Sequence, residues 1–262
     1  MRLKPLVDPV PGPLSADRAE RFARHLPIPE LGEEAQRRLA NARVCVIGAG
    51  GLGSPALLYL AAAGVGTLGI VDDDAVEKVN LQRQVLHATA GIGRPKADSA
   101  ASRLRELDPE LIIRSHRLRV DAASVADLFV QYDVVVDAVD NFPTRYVISD
   151  CCTELGIPEV WAAVRVTRAQ LSVFWSRPEG AEGPLAPITL RDVHPEPPEP
   201  QSWVSAAEVG VLGAMCGQVG AVMANETVKL ITGAGDSLFG RIAYLDTMAA
   251  TWREIPVRGK ER

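Results

Sequence analysis

Val44-Cys-Val-Ile-Gly-Ala-Gly-Gly-Leu-Gly-Ser54 is an apolar run that breaks into closely spaced glycines, after which Pro55-Ala-Leu-Leu58 opens a helix. The run reads as a buried strand. Gly48, Gly50, Gly51 and Gly53 read as the loop that follows it, with several backbone N–H groups converging on one point. The positive end of the helix dipole stands behind them, which makes the loop a cradle for a nucleotide phosphate. The loop alone does not choose the nucleotide or the chemistry.

On either side of this stretch strands and helices alternate. Strands are predicted at 44–47, 68–71, 112–118, 134–137 and 159–164, and helices at 52–63, 96–107, 122–131 and 144–155. That rhythm predicts an α/β fold, a Rossmann-like doubly wound and mostly parallel sheet. Beyond it, 170–175 alternates like a half-exposed antiparallel strand, 241–245 and 251–255 extend the sheet, and 210–231 forms a helix rich in small residues. One domain is expected over 16–257. It includes a helical arm at 16–42, begun by Ser15-Ala-Asp-Arg-Ala-Glu20, and a crossover loop at 177–205. Seven prolines between Pro178 and Pro200 argue against helix or central strand in that crossover. Residues 1–15 are expected to be a flexible segment and 258–262 a tail.

Composition narrows the function classes. The chain has 262 residues, 47% of them apolar, which allows a large core. A formal charge of −5 disfavours a nucleic-acid surface. No apolar run reaches membrane-spanning length, and residues 1–14, Pro-rich and broken by charges, lack a signal-peptide core, so a cytoplasmic location is expected. Cys45, Cys151, Cys152 and Cys216 show no CxxC spacing, so no zinc is expected. Cys151 and Cys152 read as one core thiol and one partly exposed. The histidines (His25, His87, His116, His194) are scattered and read as surface or turn residues.

Four segments carry the chemistry. Asp72 lies 24 residues after Gly48, where an acid accepts hydrogen bonds from a ribose, of NAD and ATP alike. Asn80-Leu-Gln-Arg-Gln84 then offers Arg83, a planar permanent cation suited to several phosphates. Gly93-Arg-Pro-Lys96 puts Lys96 in the first turn of a helix, where the dipole disfavours it unless an anion neutralises it. Val134-Val-Val-Asp-Ala-Val-Asp-Asn141 releases Asp140 at the ligand-binding edge of the sheet. Asp140 reads as a Mg²⁺ ligand facing a polyphosphate, and Asp137 as a strand-end hydrogen-bond acceptor.

Together with Arg21-Phe-Ala-Arg24, Val71-Asp-Asp-Asp74 and Glu226-Thr-Val-Lys-Leu230, these segments resemble the ThiF/MoeB/HesA adenylyltransferase family, relatives of the ubiquitin-activating enzymes, over residues 21–257. The resemblance is closest to the actinobacterial type whose catalytic domain precedes a rhodanese domain; the sequence stops at Arg262 without one. It implies ATP and Mg²⁺ as cofactors, and as substrate a small ubiquitin-like sulfur-carrier protein whose C-terminal Gly-Gly is adenylated. It implies that the loop of Gly48, Gly50, Gly51 and Gly53 holds phosphates and that Asp72 holds the ribose. Asn80 and Arg83 would contact the triphosphate, Lys96 the α-phosphate region and Asp140 the Mg²⁺, with Asp74, Gln82 and Asn141 also cofactor-binding. Arg24 would reach the ATP of the partner subunit in a homodimer. A separate rhodanese or cysteine desulfurase would donate sulfur. Arg83, Lys96, Asp140 and Arg24 are thus the catalytic candidates. The reaction asks for cations rather than an acid–base pair, since a terminal carboxylate, with a pKa of roughly 3.3–3.7, is already ionised.

The sequence departs from the family in two further places. Ala206 stands where relatives commonly have a cysteine, and a methyl group is no nucleophile; Cys216 reads as core. Val166 stands where the family has an arginine, with Arg165 and Arg168 beside it. The alternative reading is therefore a non-catalytic or specialised homologue that binds nucleotide or carrier. An NAD-dependent oxidoreductase, the third reading, leaves Arg83, Lys96 and Asp140 without a role.

Overall fold

The computed structural model describes residues 1–199 and 206–259. α1 (Ala16–Arg21) starts at Ser15, whose side chain accepts the Arg18 N–H, and α2 (Gly32–Asn41) follows. β1 (Arg43–Ile47) runs through the glycine loop into α3 (Gly53–Ala63), which ends on Gly64 in the left-handed region, φ 90°. Then come β2 (Thr67–Val71), two 3₁₀ turns (Lys78–Asn80 and Thr89–Gly91), α4 (Lys96–Leu107), β3 (Ile112–His116), α5 (Val125–Phe129), β4 (Val134–Asp137) and α6 (Phe142–Leu155). β5 (Glu159–Arg165) and β6 (Arg168–Phe174) form a hairpin. A two-stranded ribbon of β7 (Glu179–Gly180) and β8 (Gly183–Pro184), α7 (Leu190–Val193) and α8 (Ala206–Val209) lead to α9 (Gly213–Thr232), β9 (Arg241–Asp246) and β10 (Thr251–Pro256).

Among the described residues the main sheet has eight strands in the order β10-β9-β6-β5-β4-β1-β2-β3. The pairs from β5 to β3 are parallel, and those from β5 to β10 antiparallel. The alternation of side chains along a strand divides the core in two. Val44 and Val46 face one cluster, packed under α3, α4 and α9, while Cys45 and Ile47 face another with Phe129 and Ile148 of α5 and α6. The chain runs outward from β1 to β3, then returns to lay β4 on the other side of β1. Ligands bind outside the carboxyl ends of the strands at such a reversal, and the loops after β1 and β4 meet there.

Four expectations change. Residues 1–10 do not hang free: Leu3 and Val7 are buried, and the Lys4, Leu6 and Val10 N–H groups donate to Glu179, Leu230 and Arg37 carbonyls. Their apolar side chains find the groove left between α2, α9 and the ribbon. β6 is buried rather than half-exposed, with Leu171, Ser172, Val173 and Phe174 at 0–2% exposure. Its cover comes from distant chain: α9, and the crossover, which pairs Ile188 with Trp175 and sets His194 against Trp161 beside Phe174. The crossover itself is not without structure. It carries the ribbon and α7, whose start is closed by reciprocal Thr189 and Asp192 bonds. Residues 200–205 of it lie outside the described residues. All four cysteines are buried, Cys151 included. No helix among the described residues is long and apolar enough to cross a membrane.

Candidate active site

A cleft of about 310 Å³ opens at the reversal between β1 and β4, within the size range of small-molecule sites. Gly48, Gly50, Gly51, Asp72, Asp74, Arg83, Lys96, Asp140 and Asn141 line it; Gly53, Asn80, Gln82 and Arg24 do not. Close approach requires the glycines. Gly48 has φ +94°, and a Cβ there would stand 2.8 Å from the Ala138 carbonyl; a Cβ on Gly53 would land on the Gly48 oxygen. A Cβ on Gly51 would reach 3.1 Å from Cys216 Sγ, so the loop lies directly on α9. The loop leads into α3, which has no side-chain cap and no acid in its first turn, leaving its positive end for an anion.

Ala49, at the centre of the loop, is clamped at both polar ends. Its N–H donates to Asp72 Oδ2 at 2.8 Å, and its carbonyl accepts from His87 Nε2 at 2.9 Å. A carbonyl only accepts, so Nε2 carries the proton and Nδ1 accepts from Ser99 Oγ at 3.0 Å. His87 is therefore buried structure, not a surface residue. Burial lowers its pKa, and the charge of Lys96 adds to this. Asp72 also accepts the Asp74 N–H at 2.9 Å, which leaves about half of a carboxylate's four or so lone-pair sites for a hydroxyl. Burial raises the Asp72 carboxyl, against the pull of the Ala49 N–H and Lys96.

Lys96 finds its compensating anion inside the chain: Nζ donates to Asp74 Oδ2 at 2.7 Å, and its N–H to the Asp74 carbonyl at 2.8 Å. The Lys96 side chain is 6% exposed and that of Asp74 66%, so the pair is open on the acid's side only. Asn80, outside the cleft, holds Arg83 by accepting from Nη2 at 3.2 Å. Gln82 turns away, its carbonyl packed on Gly213. Gln84 lines the cleft instead, buried, its Oε1 without a partner among the described residues; no period marks which glutamine of the pair faces in. Cys216 is core as read, and burial raises its thiol while Arg83 opposes. Arg24 is exposed, with no hydrogen bond or ion pair among the described residues.

Asp140 is exposed at the end of β4, and its side chain has no bonded partner among the described residues. Asn141 caps α6, its Oδ1 accepting the Thr144 N–H at 3.0 Å, which leaves its NH₂ on the cleft side. Mg²⁺ is held by one or two carboxylates plus substrate phosphates, and Asp140, lining one cleft with Arg83 and Lys96, fits that donor set. Asp72, Asp73 and Asp74 also lie close enough to share an ion, but Asp72 is bound to two N–H groups and Asp74 to Lys96. Glu226 of α9 serves packing: it accepts the Leu238 N–H at 2.7 Å and Lys229 at 2.6 Å.

A second groove, of about 1190 Å³, continues from the cleft across β5, β6 and β9 and shares Val139, Asp140, Asn141, Val164 and Arg165 with it. Val166 at the hairpin tip has φ 57°, rare for a β-branched residue, and its carbonyl accepts the Leu212 N–H at 3.0 Å. That bond ties the hairpin to the end of the crossover, where Val209 and Val211 reach the cleft.

A doubly wound sheet with a glycine loop and a carboxylate at its reversal defines a nucleotide-binding class. The ThiF family model matches residues 22–262, and the chain belongs to the ThiF family. It is 49% identical over 256 residues to "Probable adenylyltransferase/sulfurtransferase MoeZ" of Mycobacterium tuberculosis, covering 98% of this chain and 64% of that one. The chain thus spans less than two thirds of that relative. It is 41% identical to "Sulfur carrier protein adenylyltransferase" of Thermus thermophilus, covering 93% of this chain and 89% of the relative. Among solved structures it resembles E. coli MccB with MccA-N7isoASN, with a TM-score of 0.77 at 18% identity, covering 95% of this chain and 73% of that one. At that identity the likeness concerns the fold, including the antiparallel extension of the sheet.

Proposed function

We propose that this protein uses Mg·ATP to adenylate the C-terminal carboxylate of a small ubiquitin-like sulfur carrier ending in Gly-Gly, releasing pyrophosphate. The observation that carries this reading is the continuity of the phosphate cleft with the larger groove through Val139–Asn141 and Val164–Arg165. A nucleotide alone would need only the cleft; the groove suits an extended tail arriving at its α-phosphate end. The Thermus relative's name points to the same substrate class.

The carboxylate oxygen attacks the α-phosphorus, a new P–O bond forms, and the bond to the bridging oxygen breaks as pyrophosphate leaves. The nucleophile is already ionised, so no general base is required. The obstacle is bringing one anion against another. Lys96 and Arg83 reduce that repulsion and follow the charge onto the leaving group, while the glycine loop and α3 hold the phosphates. Mg²⁺ on Asp140 would add charge neutralisation at the phosphates. Arg24 of a second copy completes the site in a homodimer, which accounts for its exposure away from its own cleft. Ala206 offers no thiol, so the adenylate passes to a separate sulfur donor, a rhodanese or cysteine desulfurase, in the cytoplasm.

Exchange of labelled pyrophosphate into ATP tests the reading. Exchange should require Mg²⁺ and a Gly-Gly-ending carrier encoded beside this gene; its absence with every such carrier refutes the proposal. Ala206 and Val166 favour one second reading, a homologue that binds nucleotide and carrier without chemistry. It predicts ATP binding with no exchange.

A further inference from the structure

Asp140 reaches the cleft on a four-residue loop, 138–141, between β4 and α6. With no partner for its side chain among the described residues, its position is set by the backbone on either side. On the α6 side the Asn141 cap does this. On the β4 side Val139 is held at both polar ends: its N–H donates to Asp137 Oδ1 at 3.1 Å, and its carbonyl accepts from Arg145 Nη2 at 2.7 Å. The same Nη2 donates to the Ala162 carbonyl of β5 at 2.8 Å, and Nε pairs with Asp137 Oδ2 at 3.4 Å. The guanidinium carbon lies 5.2 Å from the centre of the Trp161 ring.

We propose that Arg145 is a positioning residue, a buried clamp that holds Asp140 at its metal-binding place through Val139. The inference rests on the reading of Asp140 as the Mg²⁺ ligand. Stability alone is a poor reason to bury this ion pair. The Arg145 side chain is 5% exposed and that of Asp137 0%, yet among the described residues Arg145 Nη1 and Asp137 Oδ2 lack hydrogen-bond partners, an arrangement that recovers desolvation badly. What Arg145 does achieve is geometric. Only a planar fork reaches a loop carbonyl, a neighbouring strand carbonyl and a carboxylate together; a lysine ammonium is a point charge on a flexible stem. Residues that orient a metal ligand at one remove affect metal affinity about 10–100-fold.

ATP binding by the full chain, measured calorimetrically over stepped Mg²⁺ concentrations, separates this role from a purely structural one. The proteins are wild type, Arg145→Lys, Asp140→Ala and the double variant, with thermal melting as the folding check. Arg145→Lys should raise the Mg²⁺ needed for half of the metal effect about tenfold. It should leave metal-free ATP affinity within about twofold and add little in the Asp140→Ala background. Equal loss with and without Mg²⁺, or a full additional loss in the double variant, would overturn the clamp. An unshifted Mg²⁺ requirement in Asp140→Ala would overturn the metal reading of Asp140 and this inference with it. Mg²⁺-dependent binding without pyrophosphate exchange would sink only the proposed reaction. Arg145→Met, which keeps an unbranched side chain and removes the donor to the Val139 carbonyl, replaces Arg145→Lys with the same expected shift if that variant does not fold.

Discussion

Lys96 is a buried cation of the cleft, held by an acid that is open to solvent. At a helix start it is opposed by the dipole, and Asp74 offsets this at 2.7 Å from the solvent side. A phosphate entering the cleft competes for the same ammonium with more charge. Lys96→Ala should therefore lower pyrophosphate exchange about 100-fold or more, the usual cost of losing one preorganised donor, while the fold, checked by thermal melting, persists. His87 gives a pH prediction. Its pKa is lowered by burial below the usual 6.5, so the native state stays neutral while the unfolded chain takes up a proton. Stability from this residue is full above about pH 6.5 and is lost as pH falls from there toward the native value. Urea unfolding at pH 7.5 and 5.5 should show a smaller acid loss of stability in His87→Gln than in wild type; His116 and His194, also lowered by burial, act in the same direction, and Glu159, raised by burial to about 8, acts in the opposite one. Lys96 and Asp140 were legible as cleft residues because each sits at a helix start or a strand end, and Arg83 because it is a permanent cation among the amides of the loop after Asp72. His87 was not, since its partner is the Ala49 carbonyl 38 residues away, nor were Gln84 and Arg145, since no local pattern marks which side chain of their segments turns inward.

At the level of elements, the loop between β1 and α3 is built by backbone contact. A methyl at Gly53 would occupy the place of the Gly48 carbonyl oxygen, whereas a methyl at Gly93 meets open space and only φ +85°. Gly53→Ala should cost about 3 kcal/mol or more, or prevent folding. Gly93→Ala should cost about 1 kcal/mol, the strain of a left-handed residue. Chemical denaturation of the two variants checks the contrast. Strand and helix order were readable from Val44 to Val164 because the central parallel strands β1, β2 and β4 are short apolar runs, separated by helix-length segments. The burial of β6 was not, because Gln170-Leu-Ser-Val alternates as if one face met water. That face is closed by the crossover, whose prolines disguise a ribbon and the capped turn at Leu190–Val193.

Across the whole molecule, the order of the strands puts two loops from distant parts of the chain side by side, and the site follows from that reversal. The composition conveyed a large core, but not that residues 1–10 fasten to α2, α9 and the ribbon. If Arg24 acts on the cleft of a second copy, Arg24→Ala and Lys96→Ala chains should rescue each other. Each mixed dimer has one site with both residues intact, so random mixing restores roughly a quarter of wild-type exchange. Activity that stays at the level of the separate variants would place Arg24 outside catalysis. The central claim is that the cleft activates a carboxylate without holding the product covalently. Intact-protein mass spectrometry on wild-type enzyme, Mg·ATP and a Gly-Gly carrier tests it directly. The expected result is a carrier heavier by one AMP and an enzyme of unchanged mass. An enzyme–carrier conjugate, or a carrier that is never adenylated, would contradict it.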